Sequence, residues 1–315
     1  MKTYLSFARI GSLLGVLALA GGGLAAAQAQ AQAPAPAPAP RPVTFTVTSV
    51  GGERESAISK DDVRLRLRRN QITPVDAWAR EDKLFLAILI DDSIDRGAAS
   101  HWRDLQELIK SQRATTLVAV GYLRNNGTTL AQDFTTDHEA AANALRIPFG
   151  DRAPSSPYLG VLDMLRRWPK TGPRRSILLI SSGFDYFRGP SSGPIYPDVT
   201  PLVQQAQRQD TNIWSVYFPS ASRRGRSFNY AWQGINNLSR VSDETGGELF
   251  ALGTGMPVSL KPHFDDIASR LGSQYLLTFG AVRERRGRHV RVDVTSDLPD
   301  VDFLAPAAAF VPAAE

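Results

Sequence analysis

Seven apolar residues in a row, 84–90 (LFLAILI), run straight into Asp91-Asp92-Ser93-Ile94-Asp95. A short apolar run of this kind predicts a central parallel strand, buried on both faces. Similar runs follow at 116–122 (TLVAVGY), 176–182 (SILLISS) and 212–217 (NIWSVY). Between them the apolar positions take helical spacing, as at Trp102, Leu105, Leu108 and Ile109. Further helices are predicted at 137–145, 158–168, 199–208 and 235–245, the last stopped by Gly246-Gly247. Residues 128–134 read as an antiparallel edge strand and 248–251 as a second edge. Strands alternating with helices predict an α/β fold with a doubly wound, mostly parallel sheet.

The ends of the chain follow a different rhythm. Residues 43–50 (VTFTVTSV) and 63–67 (VRLRL) alternate in the manner of half-buried strands, which predicts a short N-terminal β segment over 43–80. After a helix at 262–271, residues 274–279 and 289–294 predict a C-terminal β hairpin across the turn 283–287. The doubly wound domain is accordingly expected over 81–255, with helix, hairpin and tail over 256–315.

The first forty residues belong to none of this. Lys2 and Arg9 precede the apolar stretch 10–19 (IGSLLGVLAL), and small residues follow through Ala29. That is the layout of a secretory signal peptide over 1–29. Residues 30–42 (QAQAPAPAPAPRP) form an Ala/Pro-rich linker that stays extended and builds no core. The expected destination is therefore periplasmic or secreted, with no integral membrane span once the signal is cleaved. The chain has no cysteine, so neither disulfides nor thiolate metal sites contribute.

The formal charge is +5, or about +3 without Lys2 and Arg9. Arginines cluster at 64–69, 223–226 and 283–288. They admit attraction to anionic surfaces, although Arg64 and Arg66 alternate with apolar residues as on a solvated strand face. Export and the lack of aromatic interleaving speak against nucleic acid.

Candidate chemistry sits at the strand ends, where α/β proteins bind ligands. Asp91, Asp92, Ser93 and Asp95 follow the first strand, and Ser181-Ser182-Gly183-Phe184-Asp185 follows 176–180. Ser155-Ser156 stands just ahead of a helix. Together they offer hard oxygen donors of the kind that bind Mg²⁺, Ca²⁺ or Mn²⁺. The competing reading has Asp91, Asp92 and Asp95 capping the following helix, with no metal. The four histidines, His101, His138, His263 and His289, lack metal-ligand spacing and read as surface residues. Five tryptophans read as packing, except that Trp232 in the 219–232 segment is a candidate for exposure.

The turn Asp91-Asp92-Ser93-Ile94-Asp95 resembles the Asp-x-Ser-x-Ser signature of von Willebrand factor type A domains. Residues 45–52 (FTVTSVGG), 238–250 (LSRVSDETGGELF), 264–277 (FDDIASRLGSQYLL) and 287–294 (GRHVRVDV) extend the resemblance over roughly 43–296. They are similar to segments of bacterial, acidobacterial-type exported proteins related to that family. The resemblance implies a doubly wound fold and a metal-ion-dependent adhesion site. Carried over, Asp91 and Ser93 match, Asp95 replaces a serine, Ser156 (or Ser155) stands near a threonine, and Ser182 stands where Asp is usual. Asp185 lies three residues beyond. The implied metal set is thus Asp91, Ser93, Asp95, Ser156 and Asp185, in a degenerate form of the site.

The function these readings imply is an exported, non-enzymatic module that binds a protein or an envelope or extracellular polymer. The loops 91–98, 150–157 and 183–198 would form its contact face. The alternatives are a metal-dependent hydrolase built on Asp91, Asp92 and Asp95, and a metal-free envelope scaffold.

Overall fold

The computed structural model describes residues 39–51, 58–67, 71–169, 174–188 and 193–314. The expected signal peptide and nearly all of the linker lie outside the described residues, as do Arg68 and Arg69.

The run 84–90 becomes β5 (Leu84–Asp91), and every one of its residues is buried. It pairs in parallel with β6 (Thr116–Arg124) on one side and with β8 (Arg174–Ser181) on the other. The sheet continues through β9 (Thr211–Tyr217) to the short edge β10 (Leu249–Phe250), and on the far side ends at β7 (Gly127–Thr135), antiparallel to β6. The order is β10-β9-β8-β5-β6-β7. Counted along the chain from β5, this is the 3-2-1-4-5-6 order of doubly wound folds, with its switch point between β5 and β8. It is the fold that the type A resemblance implies.

Period-two alternation along β5 explains why both faces need helices. Leu84, Leu86, Ile88 and Ile90 join a core with α1 (Trp102–Lys110), α2 (His138–Asn143) and α6 (Lys261–Gly272). Phe85, Ala87 and Leu89 face α3 (Pro157–Arg167), α4 (Val199–Arg208) and α5 (Phe228–Thr245). Local signals act as their chemistry requires: Asp137 Oδ1 caps α2 at Ala140 N, 2.9 Å away, and Gly246 ends α5 at φ +80°. Helix α5 begins seven residues before the predicted 235, which brings Trp232 onto a helix.

The described strands within 41–79 and 274–311 form a second, all-β unit. Strand β1 (Arg41–Val50) starts two residues earlier than expected and pairs with β11 (Gln274–Ala281) and β13 (Asp302–Leu304). Strand β4 (Ala77–Ala79) adds to the far edge of β11. A second sheet runs β14 (Ala308–Val311), β12 (Arg288–Ser296), β2 (Val63–Leu67), β3 (Gln71–Thr73). One apolar cluster, with Phe45, Val47, Leu65, Leu277, Phe279 and Val292, fills the space between the two sheets. The predicted C-terminal β hairpin does not form. Strands β11 and β12 follow each other across 283–287 but lie in different sheets, β11 against β1 and β12 against β2. Their alternating faces are both needed to close the sandwich, so the turn changes sheets.

Candidate binding face at the carboxyl edge of the sheet

The switch point brings the end of β5 beside the end of β8, and side chains bridge the gap. Asp91 is wholly buried. Its Oδ1 accepts from Ser93 N at 3.0 Å and from Ser93 Oγ at 2.7 Å, and its Oδ2 accepts from Ser181 Oγ at 2.7 Å. Ser181 Oγ in turn accepts from Gly183 N at 2.9 Å. Burial pushes the Asp91 carboxyl up to about 6, against the opposing pull of these hydrogen bonds.

Asp92 is equally buried but is treated differently. Arg146 grips it with two hydrogen bonds of 2.7 Å, Nη1 to Oδ1 and Nη2 to Oδ2. Phe149 N adds a third to Oδ1, and Gly150 N bonds the Asp92 carbonyl at 2.9 Å. The guanidinium also stacks on Tyr122 and Phe149, at 3.7 and 4.3 Å from the ring centroids. Asp92 thereby anchors the whole 146–150 loop.

Asp95 turns outward. Its Oδ1 caps the next turn at Gly97 N, 2.9 Å away, and its Oδ2 accepts from Arg226 at 3.2 Å. The helix-capping reading therefore holds for Asp95, whereas Asp91 and Asp92 bond to other partners. Ser156 caps α3 and donates to Asp185 Oδ2 at 2.6 Å, while Asp185 Oδ1 accepts from Phe187 N. Burial again raises the Asp185 carboxyl. The implied metal set is thus divided: Asp91 with Ser93 and Ser181, Ser156 with Asp185, and Asp95 with Arg226. Both oxygens of each of these carboxylates accept from protein donors. Among the described residues no three His, Cys, Asp or Glu side chains are grouped to hold a metal ion. The buried Ser155 Oγ is one of the side-chain oxygens that have no hydrogen-bond partner among the described residues.

Close backbone approach fixes the second turn. Gly183 has φ +63°, and a Cβ there would sit 2.4 Å from Gly234 O in α5. The 183–198 segment is anchored at a few points: Phe184 and Tyr196 are fully covered and Tyr158 OH donates to Gly183 O at 2.7 Å, while Phe187 and Ile195 stand exposed. Residues 189–192 lie outside the described residues.

The rim of this edge is cationic. A cleft of about 340 Å³ is lined by Arg96, Arg152 and Arg226, with Asp95, Asp151 and the half-exposed Phe149. Arg96 and Arg152 form no ion pair among the described residues. Arg124 stacks on Phe149 at 5.3 Å, and Arg224 on Tyr230 at 5.0 Å. Arg64 and Arg66, by contrast, pair with Asp297 and Asp293 between the neighbouring strands β2 and β12. Three elements at this edge carried little sequence signal: Ser181, readable only as a hydroxyl at a strand end, and Arg146 and Arg226, which reach their acids across 54 and 131 positions. His101 corrects an expectation, since it is buried and edge-on to Phe218 at 5.9 Å.

No family model matches the chain, and no curated protein matches it. Among solved structures it is similar to an aerotolerance-related membrane protein from Bacteroides fragilis NCTC 9343. That match has 11% identity and a TM-score of 0.44, over 60% of this chain and 98% of that one. It is also similar to the vWF domain of the type V pili tip protein Mfa5 from Porphyromonas gingivalis, at 12% identity and a TM-score of 0.44, over 60% and 95%. The VWA domain of SpRpn10 matches at 12% identity and a TM-score of 0.40, over 58% and 95%. At these identities no function passes from those proteins to this chain. No helix among the described residues is long and apolar enough to cross a membrane.

Proposed function

We propose that this chain is an exported, non-enzymatic binding module of the type A kind, which docks a protein partner on the carboxyl edge of its sheet. The observation that carries the reading is the division of charge at that edge. The carboxylates inside are engaged by hydroxyls or arginines, while Arg96 and Arg152 on the rim have no ion-pair partner among the described residues. A partner's carboxylate, which an adhesion site of the intact type would receive on its metal, is received here by guanidinium groups.

The test is fluorescence anisotropy with a labelled glutamate-rich peptide. Binding weakens about tenfold in the double variant Arg96→Ala/Arg152→Ala and with rising salt. It is unaffected by chelator, and unaffected by Arg285→Ala/Arg286→Ala at the far loop. Equal loss in both double variants would reduce the effect to general charge and sink the reading.

A second reading has its own support. The unpartnered Ser155 hydroxyl and the hard oxygen donors at Asp91, Ser93 and Ser156 favour a hard divalent cation here. Calorimetric titration with Mg²⁺, Mn²⁺ and Ca²⁺ decides between the two: saturable heat that disappears in Asp91→Ala establishes the cation. Hydrolysis of a phosphate or ester substrate, lost in the same variant, would overturn the non-enzymatic reading altogether.

A further inference from the structure

The first three turns of α5, residues 228–239 (FNYAWQGINNLS), carry no charged side chain, in a chain where 21% of residues are charged. Solvated helix faces ordinarily carry Lys, Glu and Arg, so a stretch without them asks for an explanation. Asn229, Trp232, Gln233 and Asn236 stand at i, i+3, i+4 and i+7 and therefore share one face. They line a groove of about 680 Å³ with Tyr230 and the Gly193-Pro194 wall, well within the range of ligand sites. No Asp, Glu, Lys or Arg lines it among the described residues.

The aromatic groups are on display. Trp232 is 41% exposed and Phe228 70%, the two rings meeting at 6.0 Å and 65°. Single exposed aromatics are ordinary, but a pair on a helix beside a groove marks a contact site. The wall is held in place: Gln233 Nε2 donates to Gly193 O at 2.6 Å, and Asn237 Nδ2 to Pro194 O at 3.0 Å. Asn237 Oδ1 also accepts from Tyr196 N at 3.0 Å. The side chains of Asn229 and Asn236 make no hydrogen bond among the described residues, which leaves their donors and acceptors facing the groove's opening.

We propose that this groove binds a neutral glycan chain. Amides supply donor and acceptor together, which matches sugar hydroxyls that do both. The exposed Trp232 ring in the lining offers an apolar face for the C–H groups of a sugar. The described lining carries no charge of its own, Arg224 reaching it only through Tyr230, which argues against anionic polymers and sets this groove apart from the arginine-lined cleft at 96, 152 and 226.

The experiment is isothermal titration of the purified protein with cellohexaose and with chitohexaose. Saturable binding to at least one is expected, insensitive to salt between 50 mM and 500 mM on the order of the screening range. Trp232→Ala should weaken it at least tenfold, Trp232→Phe should restore part of the loss, and Asn236→Ala should weaken it severalfold. An unchanged circular dichroism spectrum and thermal midpoint of Trp232→Ala report that the protein is folded. No heat with either hexasaccharide, or binding unchanged in Trp232→Ala, would overturn the proposal. So would binding only to a sulfated polymer such as heparin, lost at high salt.

Discussion

An arginine meets buried groups at each edge of the central sheet, the half-exposed Arg146 at one and the buried Arg174 at the other, and the two act in opposite ways. At the carboxyl edge Arg146 grips the buried Asp92 with two bonds of 2.7 Å. At the amino edge Arg174, the first residue of β8, is only 4% exposed and has no acid partner among the described residues. Its Nη2 reaches the Leu271 carbonyl at the end of α6 at 3.4 Å, and its Nε is unpartnered. Burial pushes this guanidinium down to about 10. A pair with matched geometry organises a loop, whereas an arginine among helix-end carbonyls is held by weak dipoles against a desolvation cost.

Equal substitutions at the two edges should therefore behave unequally. Arg146→Met leaves a wholly buried carboxylate without its partner, so we expect a loss of about 3 kcal/mol in chemical denaturation. Arg174→Met removes a desolvated charge and leaves an apolar stem, so its effect should lie within about 1 kcal/mol of zero. Equal destabilisation by the two would erase the contrast.

The acids sharpen it next. Asp91 at one edge and Asp210 at the other are both pushed to about 6 by burial. Asp210, at φ 50°, accepts from Thr46 N at 2.8 Å and from Thr46 Oγ at 2.9 Å, which ties the sheet to β1. Between the ordinary Asp value near 4 and about 6, the folded state holds a proton that the unfolded state has released. Stability therefore falls as pH rises through that window, by at most about 3 kcal/mol for each group. Asp91→Asn and Asp210→Asn should each remove part of the slope, and asparagine tolerates the left-handed backbone at 210. Variants that keep the full slope would remove burial as the cause.

Smaller still is the loss of one hydroxyl. Ser156→Ala takes a donor from Asp185 and the cap from α3, for about 1–2 kcal/mol in thermal unfolding. At the rim, Arg96→Ala should change stability by less than about 0.5 kcal/mol. A larger change would mean that the rim is structural and not a docking surface.

The doubly wound fold was legible because its signals are local. Apolar runs of strand length, helical spacing between them, Asp137 as a cap and Gly246 as a stop need only neighbouring residues to act. The carboxyl edge was legible as a place, since a buried strand must deliver Asp91 and Asp92 to the crevice. How those acids are satisfied was not. The partners of Asp92 and Asp95 lie on distant loops, and periodicity says nothing about which arginine reaches which carboxylate. The sandwich failed in sequence for a related reason. Alternation in 274–281 and 288–296 tells which side chains face inward, but not that the two strands enter different sheets.

That sandwich has a consequence for how the chain reaches its final form. Thr48 in β1 pairs with Gln274 in β11, so the unit closes only after most of the chain has been made. A loop of that length closes slowly when unfolded, and unpaired strands invite aggregation while they wait. The α/β domain shortens the search, because once folded its ends, Leu84 and Leu271, line the same cavity of about 130 Å³. The strands that flank it then meet as if joined by a short connector. That geometry favours one order of assembly, in which the inserted domain folds first and the sandwich closes after it.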